Sequence, residues 1–176
     1  REKRKTNIAE YILYMWQVED IVRACNFNIS LIERDYLSKF NQTGKQLDEL
    51  KDWYANLILM MHEEGIRENG HLSFLKTIVR ELNDLHIRLL NSRDEIEYQR
   101  IYTQAVVNLR EFKSKLPASN ISDVEACLNA LYGLLLLRLK KVKISGETEA
   151  AMATFSQLLA HLSAKYHLVE KGEAEI

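Results

Sequence analysis

Two carboxylates and a guanidinium stand close together in the stretch NIAEYILYMWQVEDIVRAC, Asn7 to Cys25: Glu19, Asp20 and Arg23. Groups of these types can serve as a buried acid, or anchor a polar ligand inside a helical bundle. At 100° per residue Glu19 falls beside Ile8, Ile12 and Arg23, on an apolar border where an unpaired charge costs desolvation. Arg23, four residues on, is the expected partner, in the favourable acid-before-base order. Such a pair satisfies itself, and Asp20 is expected to face solvent. His86, beside the stripe of Leu82, Leu85 and Leu89, is the histidine that could complete a polar constellation with Glu19 and Arg23. Aromatics at helical spacing are more often core, but Trp16 stands off the main stripe of its helix and is the pocket or interface candidate among them.

The remaining chemistry is sparse. Metal sites in bundles use Glu-x-x-His on inward helix faces. Glu68 to His71 is the one such spacing, and it crosses the Asn69-Gly70 turn. His161 and His167 are six apart, on different faces, and His62 flanks Ile58 on another helix. Cys25 and Cys127 are far apart without a CxxC or a zinc spacing, and read as two buried thiols of a cytoplasmic protein, with a disulfide between them as the alternative. There is no GxSxG elbow, GxGxxG loop or Walker-type loop among the six glycines. No catalytic, cofactor-binding or metal residue is therefore assigned, no cofactor is expected, and the reading leans against an enzyme.

The net charge of −1 gives no global basic excess for a nucleic-acid partner. Two local basic clusters exist, REKRK at Arg1 to Lys5 and RLKKVK at Arg138 to Lys143. The second falls in the last turns of a helix, where cations complement the dipole. Apolar residues make up 47% and charged residues 28%, the balance of a folded globular protein rather than a disordered one. The opening stretch is no membrane span: its uncharged run, Tyr11 to Val18, is eight residues, and spanning takes about 20. No signal peptide is visible.

These residues need elements to position them, and the elements are helices. One proline stands in 176 residues, and apolar residues recur at three-four spacing throughout. The first helix starts at Asn7, capped by it, with Glu10 reaching back. A short second helix covers Asn28 to Phe40, and NQTG turns the chain. The third uses Leu47, Leu50, Tyr54, Leu57, Ile58 and Met61. The fourth uses Leu75, Ile78, Val79, Leu82, Leu85 and Leu89, with His71 at its start. At NSRDE, Ser92 and Glu95 make a capping box that would open a fifth helix to Leu116, although no Gly or Pro parts the two. Pro117 and the 117–122 connector precede a sixth helix capped by Ser122 and Glu125. KISGE leads into the seventh, with Ala151, Phe155, Leu158, Leu162 and Tyr166 on one stripe.

The expectation is all-α: one domain over residues 1–176, a bundle of six or seven mostly antiparallel helices, with residues 1–6 and 170–176 as flexible ends. The first and sixth helices should be central. The first has apolar residues on more than one side, Tyr11, Met15 and Val18 on one and Ile12 and Trp16 on another. In the sixth, Val124, Leu128, Leu131, Leu135 and Leu139 form one face, and Ala126, Ala130 and Gly133 would let another helix approach closely. Gly133 costs about 1 kcal/mol against Ala within a helix, so a packing reason is expected for it.

The stretches NIAEYILYMWQVEDIVRAC and GLLLLRLKKVKIS resemble an uncharacterised family of bacterial all-helical proteins, mainly from Bacteroidetes, catalogued as a domain of unknown function. The resemblance implies a single cytoplasmic helical domain and transfers no catalytic residue. The functional expectation is a non-enzymatic protein acting through protein–protein interaction or self-association, with no membrane partner and with nucleic acid disfavoured. The alternative is an enzyme or small-ligand binder with a polar pocket between helices, built on Glu19, Arg23 and His86. A third reading is RNA binding through the basic clusters.

Overall fold

The computed structural model describes residues 6–39, 44–117 and 120–173. Among the described residues the regular elements are all helical. They are α1 (Ile8–Ala24), α2 (Ile29–Asp35), a 3-10 turn (Leu37–Lys39), α3 (Lys45–Glu63), α4 (Ser73–Asn91), α5 (Ile96–Ser114), α6 (Asp123–Leu139) and α7 (Gly146–Glu170). The all-α class and the upper helix count follow the sequence expectation. The Arg1–Lys5 lead-in, Phe40 with Asn41 to Thr43 of the NQTG turn, Ala118 and Ser119 of the connector, and residues 174–176 of the tail lie outside the described residues.

Local capping sets most helix starts. Asn7 Oδ1 accepts the Glu10 N–H at 3.1 Å, and its Nδ2 donates back to Glu10 Oε1 at 3.2 Å. Asn28 caps α2, Ser122 Oγ accepts the Glu125 N–H at 3.1 Å, and Ser145 Oγ accepts the Thr148 N–H at 3.2 Å. The fourth and fifth helices are separate, but the expected Ser92–Glu95 box does not form. Glu95 is itself the N-cap residue and makes no side-chain cap. Its carboxylate takes Lys165 Nζ at 2.5 Å instead, while Gln99 Nε2 donates to the Leu90 and Ser92 carbonyls and closes α4. A tertiary cation has outcompeted a local N–H for the same carboxylate.

The chain divides into two compact units, residues 1–13 with 78–176, and residues 14–77. In the first, α5 and α7 run antiparallel. Glu95 meets Lys165, the Tyr98 ring meets His161, and Asn108 meets Thr154, so one helix ascends as the other descends. Tyr98, Phe155, Leu82, Leu85 and Leu128 are fully buried there. Near the start of α1, the Ala9 N–H donates to the buried Ser163 hydroxyl of α7 at 3.3 Å.

The sixth helix departs from expectation. Val124, Ala126, Cys127, Leu128, Ala130 and Leu134 are buried, but Leu137 and Leu139, further along, are 40% and 65% exposed. The expected five-residue apolar face therefore holds only over the first half. Gly133 does not serve a close helix approach either: a Cβ built on it would meet nothing within 4 Å.

In the second unit Met15, Trp16, Val18 and Val22 are buried, as are Ile32, Tyr54, Met61 and Leu75. Lys51 of α3 and Glu33 of α2 pair at 2.6 Å, and burial pushes the Tyr54 phenol up to about 12. Along α1 as a whole, Ile12 and Trp16 are both covered by the chain itself. Those two residues offer nothing to a partner.

Candidate functional site

Three places collect chemistry, one in the second unit and two in the first. In the second unit the segment between α3 and α4 is tied down by polar groups of α1. Glu19 is fully buried; its Oε2 lies 2.6 Å from His71 Nδ1, and its Oε1 accepts the Leu72 N–H at 2.9 Å. The Trp16 ring stacks on the His71 imidazole, with centroids 4.2 Å apart and planes 13° from parallel. Arg23 does not take Glu19 as expected. Its Nη1 donates to Asp20 at 2.9 Å, and its other nitrogens reach the Ile66 and Gly70 carbonyls. The reason is geometric: Glu19 points to the buried side, towards His71, whereas Asp20, three residues before Arg23, lies on the half-exposed side. Glu64 adds a further tie by accepting from the Ser73 N–H and hydroxyl.

Sequence reasoning thus placed Trp16, Glu19 and Arg23 in one neighbourhood but missed His71, which joins Trp16 to Glu19. The histidine proposed for that role, His86, belongs to the first unit. It is buried, with Nδ1 2.6 Å from the Tyr98 hydroxyl and Nε2 3.9 Å from Asp123 Oδ2. Asp123 also accepts from the Tyr102 hydroxyl at 2.8 Å and from Lys113 Nζ at 2.9 Å. His86, then Lys113 and Tyr102, hold the Asp123 carboxyl well below the usual carboxylate range. At 3.9 Å His86 is beyond a direct hydrogen bond, so Lys113 and Tyr102 make the direct contacts. Burial, with Asp123 adding to it, pushes the Tyr102 phenol up to about 12. The first turn of α6 favours this carboxylate as well. A hollow of about 330 Å³ opens beside it, walled by Tyr102, Arg110 and Lys113.

The third place is a groove of about 660 Å³ in the first unit. Its α6 wall is Asn129, Ala130, Gly133, Leu134 and Leu137. Phe112 of α5 and Ala151, Met152 and Phe155 of α7 complete an apolar floor, and Glu111, Lys115, Glu147 and Thr148 sit among its polar lining. Here the open space at Gly133 finds its place: the glycine removes a side chain from the groove wall. From Ala130 to Leu137 the α6 wall covers eight residues, a rise of about 10 Å, or two helical turns.

At the Leu137 end of the groove, α6 stops. The Val142 N–H returns to the Leu137 carbonyl and the Lys141 N–H to the Arg138 carbonyl, a left-handed helix end with Lys141 at φ +56°. Glycine is the usual occupant of that position, because a Cβ there is strained. Leu139 and Val142 are exposed between Arg138, Lys140, Lys141 and Lys143. The second basic cluster is therefore one-third apolar and follows Leu137, the last α6 residue of the groove wall. Both cysteines are free and buried. Among the described residues no cluster of His, Cys, Asp or Glu could hold a metal, and no helix is long and apolar enough to cross a membrane.

The model of a family described as a domain of unknown function, DUF4924, matches residues 1–173. The chain belongs to that family. No curated protein and no solved structure matches it. DUF4924 membership agrees with the expectation of a family catalogued as a domain of unknown function, and brings no assigned site.

Proposed function

We propose that this DUF4924 chain is a non-enzymatic binding protein whose working surface is the α5–α6–α7 groove, and that it takes a helix of another polypeptide there. The observation that carries the reading is the groove wall at Gly133, where a side chain is missing and open space is kept beside Ala130, Leu134 and Met152. An apolar concavity two turns long suits an amphipathic helix presenting residues at i, i+3 or i+4, and i+7. The polar clusters support binding over catalysis by contrast. The Glu19 and Asp123 carboxylates are each engaged by two or more donors or partners of the chain itself. Further, we take the protein to be bacterial and cytoplasmic, on the sequence resemblance and on two free thiols.

A labelled amphipathic peptide with Leu and Met at those spacings tests the reading by fluorescence anisotropy. The expected result is saturable binding that weakens at least about tenfold, or roughly 1.4 kcal/mol, in Gly133→Phe. No binding, or binding that ignores Gly133→Phe in a variant with unchanged helical circular dichroism, would overturn it.

A second reading, a small polar ligand between helices, has the hollow beside Asp123 in its favour. It rests on Asp123 with Tyr102 and Lys113, all of the first unit. Protection of Lys113 from acetylation by such a ligand would support it, and labelling unaffected by any screened ligand would count against it.

A further inference from the structure

The turn that follows Leu137 at the groove's end, its mouth, is basic, whereas the charged residues lining the groove itself are Glu111, Lys115 and Glu147. From Arg138 to Gly146 there are four cations and no carboxylate. Among the described residues the recorded ion pair in this cluster is Arg138 with Glu149 at 3.6 Å. The cations complement the C-terminal dipole of α6, but that accounts for one or two charges in the last turn, not for Lys143 beyond it. Exposed Leu139 and Val142 between them need an apolar as well as an acidic counterpart.

Such a counterpart stands on α3. Asp52, Asn56, Leu59, Met60 and Glu63 recur at spacings of four, three, one and three, which is one helix face, and all five are exposed. Leu59 and Met60 are 55% and 36% exposed. From Asp52 to Glu64 the helix and its cap carry three carboxylates and no Lys or Arg. The stripe is acidic where the groove mouth is basic. Its Leu59–Met60 pair, one turn from Glu63, supplies apolar side chains for the open wall at Gly133.

We infer that the groove's occupant is a second copy of this chain, docking the α3 stripe centred on Leu59 and Met60 with Glu63 towards Lys140, Lys141 and Lys143. The inference rests on the groove being a helix-binding surface, as proposed above. The two surfaces differ, so the contact is heterologous. Two copies that exchange both contacts close into a dimer, and copies that exchange one grow into a chain. Apolar burial at Leu59 and Met60 would supply the affinity, while the charges set register and approach.

Sedimentation velocity of the full chain, from micromolar to submillimolar concentration at low salt, tests it. The expected result is a mass that rises with concentration above that of the monomer. Reversing the mouth (K140E/K141E/K143E) or the stripe (D52K/E63K) should each weaken association at least about tenfold. The chain carrying both reversals should associate again, because the charges are swapped rather than lost. All these positions are exposed, and circular dichroism verifies that each variant is folded. A monomer at every concentration, association indifferent to either reversal, or failure of the doubly reversed chain to recover would overturn the inference. So would a folded monomer that uses the basic turn to hold anionic vesicles or RNA. A chain that stays monomeric yet binds the amphipathic peptide through Gly133 would lose this inference and keep the proposed function; a chain that fails both tests would lose both.

Discussion

The Glu19 carboxylate and the His71 imidazole meet at 2.6 Å across 52 residues of chain. Glu19 is fully buried and His71 is one-third exposed, so the pair spans the boundary between interior and solvent. With the Leu72 N–H as a second donor and the Trp16 ring stacked on the imidazole, Glu19 anchors the α3–α4 segment to α1. Removing Glu19 leaves the buried Leu72 N–H and the His71 ring without their hydrogen-bond partner. Glu19→Ala should therefore lower stability by about 2 kcal/mol. Urea denaturation checks this, and a loss under ~1 kcal/mol would mean the pair is held by its surroundings rather than holding them.

Asp123 makes a pH prediction. Its folded carboxyl titrates below the usual range because of His86, Lys113 and Tyr102. A group with a depressed folded pKa adds stability above its unfolded value, near 4, and loses that contribution as pH falls towards the folded value. The stability difference between wild type and Asp123→Asn should thus be constant above about pH 5 and shrink below about pH 4. Denaturation at pH 7 and at pH 3 measures it. A difference that grows on acidification would contradict the sign.

Gly133→Ala should stabilise the protein by roughly 1 kcal/mol, since the added methyl meets open space and the helix gains propensity. A thermal melt decides the matter. A fall in melting temperature would restore the close helix approach that the sequence suggested and that is absent at Gly133 in the fold.

Lys141 holds a left-handed conformation that costs a side-chain-bearing residue roughly 1–2 kcal/mol. Lys141→Gly should recover about 1 kcal/mol of it, less the extra entropy of the unfolded glycine. Chemical denaturation of this single variant is sufficient, and an unchanged midpoint would show the turn to be unstrained.

What the sequence made legible was local. Asn7 with Glu10, Ser122 with Glu125 and the three-four stripe of Phe155, Leu158 and Leu162 sit within a turn or two of one another, so spacing alone gives their geometry. The misreadings have long-range causes. Ser92 and Glu95 have the spacing of a capping box, but Lys165, 70 residues away, takes the carboxylate. Glu19 and Arg23 have the spacing of an ion pair, but each finds better-placed partners, His71 for one and the Ile66 carbonyl with Asp20 for the other. Gly133 and its small neighbours signal either a close approach or a gap, and periodicity does not distinguish them. The groove was illegible for the same reason, because it is made by what three helices leave uncovered.

The most direct measurement follows the Met152 methyl in the groove by NMR during titration with the amphipathic peptide. This resonance should shift with the binding isotherm in the wild type and stay put in Gly133→Phe. A peptide that binds while Met152 remains unmoved, or that does not bind at all, would contradict helix binding in the groove.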